Sequence, residues 1–307
     1  MRYNFSFDIV KHRKKFFTLS IVITLVGILT LALFGLNYGV DFKAGTTLDI
    51  TTGGQAIDKA KVEQIVGEVG FEDIPITVGG ELNDRVTIRF DKVLTAEQVN
   101  SIEAAFKTAY GDNISKEENT VDTELAKELA IKAFYAVLAA SVGIIIYVSI
   151  RFEWRFAIAG IVALLHDAFI VISLFSILRL EVNLTFIAAL LTIIGYSIND
   201  TIVIFDRIRE NLRFARIKTF DDLADLVNKS IWQTMTRSIN TMITVLIAAL
   251  CLYILGSTAI QLFSLAMIFG LLSGAYSSIF IASTIWLLLK NKSLGSKKRP
   301  TAVTVKE

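Results

Sequence analysis

Six stretches of the chain stay apolar for roughly the depth of a bilayer, and this constrains the fold more than any motif does. Crossing a hydrocarbon layer of about 30 Å takes about 20 apolar residues in a helix. The stretches are residues 16–36, 133–150, 156–178, 184–205, 237–255 and 262–289. In lipid a backbone must satisfy its own hydrogen bonds, so each is predicted to be an α-helix. Composition agrees, since 53% of the 307 residues are hydrophobic, more than a soluble domain usually carries. The first span follows a basic lead (residues 1–15, with Arg2, Lys11, Arg13, Lys14 and Lys15). It outruns the ~7–15-residue apolar region of a signal peptide, and Ala32-Leu33-Phe34 is no small-x-small cleavage site. An uncleaved anchor is expected.

Residues 37–130 have the opposite character. Thr46–Thr52 alternates as a strand, with Leu48 and Ile50 on one side, and Ile57, Val62, Ile65, Val66 and Val69 have helical spacing. Ile74–Val78 and Val86–Phe90 read as strands around the turn residues Gly79-Gly80 and Asn83-Asp84. Thr95 with Gln98 is a helix-start signature, and the helix is predicted to run to about Tyr110. A last strand is placed near Ile114–Val121. The order β-α-β-β-α-β predicts a ferredoxin-like α+β domain between the first and second spans. Residues 206–236 are expected to be a basic amphipathic connection, and 256–261 an uncharged link. The tail 290–307 is expected to be disordered.

Charge sets the orientation. The lead, Arg151 and Arg155, the Arg207–Lys229 connection and the tail are basic; the turn at 179–183 pairs Arg179 with Glu181, and 256–261 has no charge. Over six spans these sets alternate sides, so both termini are expected in the cytoplasm and the α+β domain outside.

Ionisable groups inside spans are costly, and residues that bear that cost are disproportionately functional. Asp200 lies in the fourth span, on the same side as Thr192, Tyr196 and Asn199. Arg237 heads a second polar stripe with Asn240, Thr241 and Thr244 in the fifth. The fourth span ends and the fifth starts on the cytoplasmic side, so an Asp200–Arg237 approach is expected. It reads either as a titratable carboxylate tuned by a guanidinium or as an ion pair that fixes helix register. His166 and Asp167 are adjacent in the third span and are expected to diverge by about 100°. Asp167 reads either as a proton carrier or as a hydrogen-bonding group between helices. In the sixth span Gly270, Gly274, Ser273, Ser277 and Ser278 form a small-residue seam for close helix contact. There is no P-loop, and two histidines with one cysteine, Cys251, make neither a zinc site nor a disulfide. No enzymatic activity and no cofactor are expected.

The run Gly195-Tyr196-Ser197-Ile198-Asn199-Asp200-Thr201-Ile202-Val203-Ile204-Phe205-Asp206-Arg207-Ile208-Arg209-Glu210-Asn211 resembles the signature of the SecF family, the smaller subunits of SecD–SecF protein-export complexes. Val40-Asp41-Phe42-Lys43-Ala44-Gly45-Thr46 resembles that family's Asp-Phe-x-Gly-Gly-Thr element, with Ala44 in place of the first glycine. Thr236-Arg237-Ser238-Ile239-Asn240-Thr241 resembles its fifth-span Arg-Ser motif. The resemblance covers about residues 10–290. It implies a membrane-embedded, non-enzymatic accessory of the Sec translocase in the cytoplasmic (inner) membrane. The implied partners are a SecD-like six-span half, a SecYEG-type channel, YajC- and YidC-type accessory proteins and the translocating preprotein. It implies use of the proton-motive force, with Asp200 and Arg237 in proton conduction; Tyr196, Asn199, Thr201 and Asp167 complete the candidate relay. Two rival readings are a proton-coupled efflux subunit and a non-catalytic translocase scaffold.

Overall fold

The computed structural model describes residues 7–72, 74–80 and 82–296. Arg2, the tail residues Lys297, Lys298 and Arg299, and the expectation of disorder for 297–307 lie outside the described residues, whereas residues 290–296, expected to be disordered with them, continue the last helix. In chain order the elements are α1 (Arg13–Phe34), β1 (Asn37–Tyr38), a single helical turn α2 (Val40–Lys43), β2 (Gly45–Thr51) and α3 (Lys59–Glu68). Then come β3 (Ile76–Gly79), β4 (Arg85–Phe90), α4 (Ala96–Tyr110), β5 (Ser115–Val121), α5 (Thr123–Arg151) and α6 (Trp154–Ile177). The chain continues through β6 (Glu181–Val182), α7 (Leu184–Phe214), α8 (Phe220–Leu255) and α9 (Thr258–Tyr276). A π-helical segment, Ser277–Ala282, leads from α9 without a break into α10 (Ser283–Ser296). Six of these helical stretches are long and apolar enough to cross a membrane.

The α+β domain forms because two alternating strands and two amphipathic helices share one apolar face. The sheet order is β3-β4-β2-β5, all antiparallel, so β4 is inserted between β2 and the strand that follows it in sequence, the split β-α-β arrangement. Leu48, Ile50, Val86, Ile88 and Phe90 point to one side, where Val62 and Val66 of α3 and Val99, Ile102 and Phe106 of α4 cover them. Thr95 and Gln98 close a capping box at the start of α4. Glu103 of α4 binds Lys107 at 2.7 Å and Lys116 of β5 at 2.8 Å. Hydrogen bonds from Lys107 and then Lys116 hold its carboxyl down at about 2.

In the bundle, α6, α7 and α9 are central, and α1, α5 and α8 lie outside them with long apolar faces exposed. The connection expected at 206–236 is almost wholly helical: only Ala215–Thr219 breaks the helix. No proline or glycine interrupts it, and Leu223, Leu226, Val227 and Ile231 bury an apolar stripe that holds the start of α8 to the rest. The fourth and fifth helices therefore run well past 205 and start well before 237. The link expected at 256–261 shrinks to Gly256-Ser257, where Gly256 closes α8 through Leu252 O.

The chain leaves α2 through two unusual backbone positions. Ala44 has φ 65° and ψ 144°, a region that a side chain disfavours by roughly 1–3 kcal/mol. A Cβ on Gly45 (φ 151°) would run into the carbonyl oxygen of Phe90. Ala44→Gly should therefore raise the stability of the α+β domain by about 1 kcal/mol, whereas Gly45→Ala should lower it by at least ~2 kcal/mol, both read as shifts in thermal unfolding of the detergent-solubilised protein. For Glu103 the folded pKa lies below its usual 4.5, so its stabilisation is present above pH 4.5 and is lost as pH falls through about 2. Glu103→Gln should lower the unfolding temperature at pH 7 and make no difference near pH 2.

Candidate functional site

Among the described residues, the interior of the bundle holds one fully buried carboxylate. Asp167 of α6 is 1% exposed. Ser197 of α7 donates to its Oδ2 at 2.6 Å, Ser277 to the same oxygen at 2.6 Å, and Ser273 of α9 to Oδ1 at 2.7 Å. Taking a carboxylate out of water costs several kcal/mol, and charge-assisted hydrogen bonds of this kind offset that cost. The spacing explains the cage. Ser273 and Ser277 are four residues apart and share a helix face, with Gly274 beside them. A Cβ on Gly274 would lie 3.3 Å from Ser197, and one on Gly270 would collide with Ile193. The small-residue seam thus brings α7 close enough for its serine to reach Asp167. One turn further on, Thr201 and Ser278 hydrogen-bond at 2.8 Å.

His166 was expected to point away from Asp167. Its ring turns back, and Nδ1 lies 3.4 Å from Asp167 Oδ1. Its Nε2 is buried with no hydrogen-bond partner among the described residues, and the ring lies 6.2 Å from that of Tyr276. Tyr276 in turn donates to the Phe16 carbonyl at 2.8 Å and contacts Ser20 of α1 at 3.1 Å. Polar side chains therefore follow one another from α7 through α6 and the end of α9 to α1.

Asp200 is treated differently. It is half-buried and accepts one hydrogen bond, from Ser238 of α8 at 2.5 Å. The expected ion pair with Arg237 is not formed among the described residues, although its charge acts on Asp200 through space. Helix geometry explains the substitution: one residue is about 100° of rotation, so Ser238 faces α7 and Arg237 swings outward. Arg237, Asn240, Thr241 and Thr244 on α8 are exposed, as are Thr192, Gly195 and Asn199 on α7. Tyr196 is half-buried beside them, whereas Thr201 is buried on the inner face. The predicted residues thus divide between an outward polar face at membrane depth and an interior cage. Ser197, Ser238, Ser273 and Ser277 had no chemical role in the sequence reading; the i, i+4 serines of the sixth span were the available signal.

Asp167→Ala would strand two hydroxyls and leave Ser277 with only its longer contact to the Gly274 carbonyl at 3.3 Å. It should destabilise the solubilised protein by about 2–4 kcal/mol, against about 1 kcal/mol for Ser238→Ala, measured by thermal unfolding.

Known proteins resemble this chain in sequence and in fold. Residues 101–292 match the family described as protein export membrane protein SecD/SecF, C-terminal, and residues 30–56 match the SecD/SecF GG motif. The chain is 50% identical over 298 residues to the protein translocase subunit SecF of Alicyclobacillus acidocaldarius, covering 95% of this chain and 96% of that one. It is 46% identical to the SecDF subunit of Bacillus subtilis, covering 94% of this chain but 38% of the relative. A crystal structure of SecDF, a translocon-associated membrane protein from Thermus thermophilus, superposes with a TM-score of 0.81 at 33% identity, over 95% of this chain and 39% of that one. The chain belongs to the SecD/SecF family of protein-export membrane proteins, with the SecF subunits as its full-length relatives.

Proposed function

We propose that this chain is the SecF-type half of a proton-driven accessory to the Sec translocase, working with a SecD-type half in the cytoplasmic (inner) membrane. The observation that carries the reading is Asp200, a carboxylate within an apolar span that has a single hydrogen bond among the described residues, at the edge of a polar face left exposed by the described helices. A bare polar face in lipid is expensive, so another polypeptide belongs on it. The relative named SecDF, of which this chain matches 38%, supports a SecD-type half as that cover. A SecYEG-type channel, YajC- and YidC-type proteins and the preprotein are the further partners.

Orientation follows from charge. Lys11, Arg13, Lys14 and Lys15, the α5–α6 turn with Arg151 and Arg155, and the α7–α8 connection with Arg213, Arg216 and Lys218 all fall at one end. That end is cytoplasmic by the positive-inside rule, and the α+β domain is outside.

Protonating Asp200 removes its charge, relaxes its attraction to Arg237 and changes the bond to Ser238. Asn199, Tyr196 and the α8 stripe offer polar groups along which a proton and water can reach it. Thr201 and Ser197, on the inner face of the same helix, carry the resulting shift of α7 to the π-helical segment and to Asp167. A π-helical turn is a common adjustable element at functional sites. One proton crossing 100 mV releases roughly 2.3 kcal/mol, and driving a two-state element from one form to the other takes about 5.5 kcal/mol, so roughly three protons per stroke suffice.

Asp200→Asn, expressed with the SecD-type half, should leave the complex assembled and export at its ATP-driven level, with the proton-gradient-dependent part lost. Export measured in membrane vesicles with and without an uncoupler reads this directly. Unchanged gradient-dependent export in that variant would reduce the chain to a scaffold.

A further inference from the structure

The α+β domain is connected to the membrane by the chain itself at α1 and α5. It is also held at a third place, the start of α7. Asp41 accepts a hydrogen bond at Oδ2 from the backbone N–H of Leu184, the first residue of α7, at 2.9 Å. An acidic group at a helix N-terminus meets both free N–H groups and the positive end of the dipole. β1 pairs in parallel with β6, Asn37 opposite Glu181 and Tyr38 opposite Val182, and Gly39 N donates to Val182 O at 2.9 Å. A Cβ on Gly39 would collide with the Glu181 carboxylate, so glycine there lets that side chain pass. Glu181 then forms an ion pair with Arg89, which projects from the polar face of β4, and both side chains are less than one-fifth exposed. An ion pair shielded to that degree is less screened than a surface pair.

We propose that Asp41, the β1–β6 pair and the Arg89–Glu181 ion pair form a rigid tie through which movement of α7 is passed to the α+β domain. The proposal rests on the proton-coupled reading above, since it supplies the path from Asp200 to the domain. α7 is uninterrupted from Leu184 to Phe214, so Asp200 and the tie are joined by about 24 Å of continuous helix. A displacement at one end is delivered at the other without a hinge. The Asp-Phe-x-x-Gly-Thr segment thereby gains a role: Asp41 holds α7, and the positive-φ pair Ala44-Gly45 turns the chain directly into β2, which pairs with β4, the strand that carries Arg89.

The test uses the full chain with its SecD-type half in membrane vesicles, with Cys251→Ser as the background. Asp41→Ala with Glu181→Gln should assemble and lose about tenfold of the gradient-dependent export. Tyr38→Cys with Val182→Cys, oxidised to a disulfide across the paired strands, should restore it in that variant and leave the otherwise unaltered chain at full activity; reduction should reverse the rescue. A purely structural loss would not return on oxidation. If Asp41→Ala with Glu181→Gln does not assemble, Arg89→Gln with Glu181→Gln carries the same comparison. Full gradient-dependent export in the untied variant, no rescue by the disulfide, or inhibition of the unaltered chain by it would each overturn the tie. Asp200→Asn, run in parallel, separates the two claims: if it exports normally the proton-coupled reading fails, and if it is defective while the untied variant is not, only the tie fails.

Discussion

Apolar helices gain little by leaving lipid for one another, so something other than the hydrophobic effect must specify how they assemble. In this bundle the Asp167 carboxylate supplies much of that specification. Its three hydroxyl donors come from α7, α9 and the start of the π-helical segment, while the acid itself sits on α6. Satisfying all three fixes the rotation and depth of each helix, and a shift of any one strands a polar group in an apolar interior. Gly270 and Gly274 follow from the same requirement, because larger residues would push α7 away and leave Ser197 short of Asp167.

Two aspartates in neighbouring helices thus receive opposite treatment. Asp167 is enclosed on every side, and Asp200 has one donor and an open flank. A group that must exchange protons with an aqueous path needs the second environment, and one that must hold a bundle together needs the first. They are not independent, since α7 carries Asp200 and, on its inner face, both Ser197 and Thr201. On the proposed reading, a turn of α7 in response to Asp200 works against the cage, which sets a threshold for it.

Much of this was legible in the residues. The β-α-β-β-α-β order and the Thr95–Gln98 cap follow from short-range periodicity and capping chemistry, which depend on neighbours a few positions away. The six spans follow from length and apolarity alone. Helix extent beyond the bilayer was not legible from apolarity, because residues 206–214 and 220–236 are helical through amphipathic packing rather than hydropathy. Asp200 was visible as a costly exception in an apolar run, but its partner was misassigned by one residue: stripe arguments place Arg237 and Ser238 on adjacent faces without saying which one faces α7. The Asp167 cage was half visible. Its serines read as a packing seam, and the convergence of three helices on one carboxylate is a tertiary fact.

The link from Asp41 to Leu184 joins residues 143 positions apart, and no local pattern could announce it. Its consequence is mechanical. At the end opposite the tie, Arg207 binds Gln233 at 2.7 Å and Asn211 binds Ser230 at 2.7 Å, so α7 is pinned to the extended start of α8. α7 is therefore held at both ends and caged in the middle, with the ionisable group between. Such a helix resists bending, so on the proposed reading a change at Asp200 is expressed at its ends. At one end lies the polar face of a small, well-packed sheet. A domain whose core is closed by two helices holds together as a body, so the proposed tie would pass a displacement to the whole of it.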